Sequence, residues 1–85
     1  MSAPQTEIIL RHAGLELVRV TLPPGEYVIG REASVHIYAD TPLLSRQHAR
    51  LTIADGELHI EDLGSSNGTF VSGRQVTASM RVSPH

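Results

Sequence analysis

The stretch from Leu51 to Ile60 constrains the fold more tightly than any other part of this chain. Leu51 and Ile53 alternate with Thr52 and Ala54, then Asp55-Gly56 interrupts, and Leu58 and Ile60 flank His59. Asp-Gly is a strong signal for a two-residue hairpin turn whose central residues both take positive φ. With that turn, Ile53 falls opposite Leu58 and Leu51 opposite Ile60, and both apolar pairs lie on one face. A slip of one residue would put them on opposite faces, so the register is specified by the local sequence.

The rest of the chain has the same texture. Thr6-Glu-Ile-Ile-Leu-Arg-His12 is a β-rich run, Ala13-Gly14 can turn tightly, and Leu15 to Leu22 alternates apolar with polar, so a first hairpin is expected. Pro23-Pro24-Gly25 ends it. Tyr27-Val28-Ile29 is a third strand running into Gly30-Arg31, Glu32 to Ser34 read as a loop, and Val35 to Tyr38 as a short fourth strand. Asp40-Thr41-Pro42 is a further break, because the residue before proline is biased out of helix. After the Leu51–Ile60 hairpin come Leu63, a loop over Gly64 to Gly68, the strand Thr69-Phe70-Val71, a Ser72-Gly73 turn, and Arg74-Gln75-Val76. No segment sustains a helical period. Short strands punctuated this often predict an all-β chain, a sandwich or barrel. The domain is expected over residues 6–82, with Met1 to Gln5 a flexible end.

A chain of 85 residues holds one domain with a modest core. It has no cysteine, which excludes disulfides and thiolate metal sites. Five histidines, at 12, 36, 48, 59 and 85, lack metal-ligand spacing, and no cofactor is implied. The net charge is −2 with no basic cluster, against a nucleic-acid footprint. No apolar run reaches membrane-spanning length and no signal peptide is apparent; a soluble cytoplasmic protein is the expectation. All seven basic residues are arginine, the better side chain for bidentate phosphate binding.

Chemistry is concentrated in three short stretches: Gly30-Arg31, Leu43-Leu44-Ser45-Arg46-Gln47-His48, and Ser65-Ser66-Asn67-Gly68-Thr69. A phosphate site needs a planar charged donor, hydroxyl or backbone donors and a rigid frame. Arg31 offers a guanidinium fork, Ser45 and Ser66 hydroxyls, Arg46 a second cation, and Asn67 a donor and an acceptor together. Each stretch alone also has an ordinary reading as a turn with solvated polar side chains. Ser45 and His48 with Asp40 or Asp62 could suggest a hydrolytic triad, but serine and histidine three apart on one loop do not establish that geometry, and no nucleophile elbow is present.

Taken in order within an all-β chain, Gly30-Arg31, Ser45-x-x-His48 and Ser66-Asn67-Gly68-Thr69 resemble the forkhead-associated (FHA) domain, over about Thr6 to Val76. The resemblance implies a β-sandwich of short antiparallel and mixed strands that binds phosphothreonine-containing proteins, substrates of a Ser/Thr kinase, through loops at one end, without catalysis. It implies that Arg31 and Ser45 contact phosphate, with Arg46 assisting. Ser66 would add a phosphate or peptide contact, and Asn67 would hold the peptide main chain. Gly30, His48 and Gly68 would be architectural, and Leu43 would lie where the residue three after the phosphothreonine is read. A phosphate-independent interaction module on the same scaffold is the alternative.

The C-terminus departs from the family pattern, which continues into a final hairpin. Val76, Ala78, Met80 and Val82 alternate with Thr77, Ser79 and Arg81, so the tail is expected to be a strand. Either the sequence is a fragment of a longer signalling protein or those strands come from elsewhere; without them, free edges and open core surface are expected to drive self-association, including a homodimer by strand exchange, or marked instability.

Overall fold

The computed structural model describes residues 5–71, 73–76 and 79–82. Expectations for residues 1–4, 72, 77, 78 and 83–85 lie outside the described residues. The described chain is all-β, and none of it is a helix long and apolar enough to cross a membrane.

The first hairpin pairs β1 (Thr6–His12) with β2 (Leu15–Leu22) around Ala13-Gly14, whose φ values of 50° and 79° are those of a type I′ turn. The strands pair as Ile8↔Val20 and Leu10↔Val18, and these four side chains pack against the core.

The main sheet has the order β4-β3-β5-β6-β9, formed by β3 (Gly25–Gly30), β4 (Ile37–Tyr38), β5 (Ala49–Ala54), β6 (Glu57–Asp62) and β9 (Ser79–Val82). The β5–β6 register is the one expected: Ile53 faces Leu58, Leu51 faces Ile60, and Asp55-Gly56 turns at φ 52° and 74°. Ile29, Ile37, Ala49, Leu51, Ile53, Ile60 and Val76 form the buried core. The tail strand forms over Ser79–Val82 and pairs with β6, with Met80 and Val82 packed on the core and Ser79 and Arg81 exposed.

The fourth strand is shorter than its sequence suggests, and it runs parallel to β3. His36 is the reason. Its backbone N–H donates to the Val28 carbonyl at 3.1 Å, while its ring Nδ1 accepts the Val28 N–H at 3.0 Å. The imidazole takes a backbone donor that a strand partner would otherwise take, so regular pairing begins only at Ile37.

β7 (Phe70–Val71) and β8 (Arg74–Gln75) make a separate two-stranded sheet. The two-stranded sheets, β1–β2 and β7–β8, carry Ile8, Leu10 and Val71 onto the apolar face of the main sheet, which makes the molecule a sandwich. Between β1 and β7 lies an open groove of about 770 Å³, walled by Ile8, Leu10 and Val71 and reaching Leu51, Ile60 and Val82 of the main sheet.

Candidate functional site

Sheet topology decides where the three polar stretches go. β3 is antiparallel to β5 and β5 to β6, with Ile29 paired to Ala49 and Ala49 to Asp62. The end of β3, the start of β5 and the end of β6 therefore share one end of the sheet. The loops leaving these points carry Arg31, Ser45-Arg46 and Ser66-Asn67. These residues, with Pro42, Leu44 and Gln47, line a pocket of about 380 Å³. Its lining includes two arginines and no carboxylate, in a chain of net charge −2, so positive potential is focused there.

Backbone hydrogen bonds dock the Ser45 loop onto the start of the first. Arg31 N–H donates to the Ser45 carbonyl at 3.0 Å, Glu32 N–H to the Arg46 carbonyl at 3.3 Å, and His48 N–H to the Ile29 carbonyl at 2.7 Å. Gly30 makes this approach possible, since a Cβ there would overlap the Arg46 carbonyl oxygen. Arg31 is exposed, and its Nε donates to the Leu44 carbonyl at 3.0 Å. That bond fixes the plane of the guanidinium. Among the described residues neither terminal nitrogen meets a protein acceptor.

His48 is only 5% exposed and joins two loops. Its Nδ1 accepts the Ser45 N–H at 3.0 Å, and its Nε2 lies 2.8 Å from the Gly68 carbonyl. An acceptor at one nitrogen and a carbonyl beside the other define the neutral ring with its proton on Nε2, donating to Gly68. Ser45 Oγ accepts the Ser66 N–H at 3.0 Å, which leaves its own proton to donate. Among the described residues the Ser45 hydroxyl is not hydrogen-bonded to the imidazole and the Asp62 carboxylate bonds its own loop, so Ser45, His48 and Asp62 do not form a hydrogen-bonded triad.

The third loop hangs on Asp62, whose role the sequence reading missed. Asp62 Oδ2 accepts the N–H groups of Gly64 at 3.0 Å and Ser65 at 3.1 Å. Its Oδ1 accepts the hydroxyls of Ser65 and, at 2.8 Å, Thr69. Burial pushes this carboxyl up, but the two hydroxyls and two N–H groups outweigh that and hold it below the usual aspartate value. The available signal was Asp62-Leu63-Gly64-Ser65 at a strand end, an aspartate two residues before glycine, which suits a side-chain-to-backbone turn. Asn67 Nδ2 donates to the Leu43 carbonyl at 2.9 Å, tying the third loop to the second. One of its amide donors is thus already engaged. Leu43 itself lines the large groove, and the apolar lining of the polar pocket comes from Pro42 and Leu44.

Residues 27–84 match the family model of the FHA domain. The chain belongs to the FHA family. It is 33% identical over 75 residues to the FHA domain-containing protein FhaB of Mycobacterium tuberculosis (strain CDC 1551 / Oshkosh), covering 88% of this chain and 48% of that protein. The chain thus spans about half the length of the curated relatives it matches. The FHA domain of the CT664 protein from Chlamydia trachomatis superposes with a TM-score of 0.74 at 28% identity, covering 93% of this chain and 78% of that one. Mycobacterium tuberculosis EmbR, solved in complex with a low-affinity phosphopeptide, gives a TM-score of 0.68 at 26% identity, over 92% of this chain and 19% of that one.

Proposed function

We propose that this FHA domain is a non-catalytic signalling module that binds phosphothreonine in partner proteins marked by a Ser/Thr kinase. The observation that carries this reading is the convergence of Arg31, Ser45, Arg46, Ser66 and Asn67 on one positive pocket at the end of the sandwich. A phosphothreonine brings close to two negative charges and three acceptor oxygens. The terminal nitrogens of Arg31 give it two parallel charge-assisted bonds, the Ser45 hydroxyl a third, and Arg46 long-range attraction. Ser66 extends the donor set. Asn67, held by the Leu43 carbonyl, keeps its amide oxygen and second N–H for the peptide main chain. His48 and Gly30 act on the ligand only through the loops they hold together.

The module works in the cytoplasm, without a nucleic-acid or membrane partner. The open groove beside β1, whose outer edge has no strand partner among the described residues, supports association of two copies by strand exchange, because unpaired strand edges recruit other strands. Light scattering tests this, and a monomer mass at high concentration would remove it. For ligand binding, titration against a degenerate phosphothreonine peptide library and its unphosphorylated counterpart is decisive. Binding confined to the phosphorylated set is expected, and equal binding of both sets would establish a phosphate-independent module in its place.

A further inference from the structure

Asp62 does not line the pocket, yet it holds the loop that displays Ser66 and Asn67 from within. Its two oxygens take donors from both sides of that pair: Gly64 and Ser65 before it, Thr69 after it. The half-buried carboxylate therefore closes the loop like a clasp, and the two residues at its tip are exposed. Glycines at 64 and 68, with φ of 80° and 83°, let the chain bend sharply on each side but do not by themselves choose where the tip points. The Ser66 N–H on Ser45 Oγ and the Asn67 amide on the Leu43 carbonyl then register the tip against the neighbouring loop.

We propose that Asp62 is the positioning residue for the peptide-binding half of the pocket: it sets the placement of Ser66 and Asn67 and leaves the Arg31–Arg46 half untouched. This rests on the phosphothreonine reading above, but its structural part does not. Asparagine at this position keeps the shape and one acceptor but turns an NH₂ group toward hydroxyl and N–H donors. Thr69→Val keeps the shape of its side chain and removes one donor, a milder break of the same clasp.

The test has two readouts on the folded protein. In the ligand-free state, amide hydrogen exchange and amide resonances should change from Gly64 to Thr69 in Asp62→Asn, and less so in Thr69→Val, while Arg31 and the β5 amides keep theirs. In the wild type, the Gly64 and Ser65 amide signals should titrate together, at a pH below the ordinary aspartate value. With a phosphothreonine peptide, Asp62→Asn should weaken binding at least about 10-fold, because hydrogen bonds to a charged group are lost. That loss should multiply with the loss from Arg46→Ala, and should shrink when Asn67 is already alanine, since coupled residues are non-additive. A general loss of stability would not discriminate between those two backgrounds. Unchanged exchange from Gly64 to Thr69, or a loss that multiplies fully with Asn67→Ala, would overturn the assignment. If the wild type ignores phosphothreonine peptides, the proposed function falls, and ligand-free exchange still decides whether Asp62 places the tip.

Discussion

The loop carrying Ser45 and Arg46 is tied to the sheet mainly by backbone: Arg31 N–H to Ser45, Glu32 N–H to Arg46 and His48 N–H to Ile29. The loop carrying Ser66 and Asn67 is held mostly by side chains, with Asp62 beneath it and Ser45, His48 and Asn67 across to its neighbour. Backbone bonds do not depend on side-chain identity, so beyond the Arg31 and His48 side chains that also brace it, the first loop is sensitive chiefly to space, at Gly30. The second loop depends on each partner's chemistry and protonation. On the proposed function, the first half of the pocket would seat the phosphate and the second would meet the peptide.

The sharpest way to break this contrast is Gly30→Ala. The added methyl meets backbone, which cannot move aside as a side-chain tip would. Overpacking costs about 1–3 kcal/mol, and this site belongs at the upper end. Binding should vanish and the melting temperature should fall by about 4–8 °C per kcal/mol lost. A variant that binds and melts like wild type would show that the two loops are not packed as described.

Arg31→Ala should remove the proposed phosphate contact at little cost to the fold, since Arg31 is exposed and gives up one side-chain bond, to the Leu44 carbonyl. A hydrogen bond to a charged group contributes about 1.5–3 kcal/mol, so affinity should drop at least about 10-fold. Isothermal titration measures it, and an unchanged dissociation constant in a folded variant rejects the site.

His48→Ala touches both halves, because one ring serves Ser45 and Gly68. Loss of a buried hydrogen-bonding partner costs about 1–3 kcal/mol, so melting temperature and affinity should fall together. Lost binding with an unaltered melt would put His48 on the ligand itself.

The smallest expected effect lies in the ligand. Phosphothreonine should bind better than phosphoserine by about 0.8 kcal/mol for one buried methyl, close to fourfold. Matched peptides differing only at that residue decide it, and equal affinities would mean that the pocket reads phosphate alone.

Much of this molecule is legible along the chain because its determinants are local. Period-two alternation and the Asp55-Gly56 turn settle the second hairpin and its inward face, since a strand's side chains alternate whatever it later packs against. The Ala13-Gly14 turn places the first hairpin, but a bulge at Leu17, where the alternation breaks at Leu17-Val18, is needed to bring Leu10 opposite Val18 and Ile8 opposite Val20. The order of Gly30-Arg31, Ser45-x-x-His48 and Ser66-Asn67-Gly68 likewise marks the three loops as one set. What tertiary structure alone decides is how those loops are held. His36 replaces a strand partner for Val28, Asp62 gathers four donors from its own loop, and Leu44 lines both the polar pocket and the groove while Leu43 lines the groove alone. The reason is physical. A turn's φ preference belongs to one or two residues, but the partner of an imidazole or carboxylate is whichever donor or acceptor the packed chain brings within about 3 Å, and residue type alone does not name it.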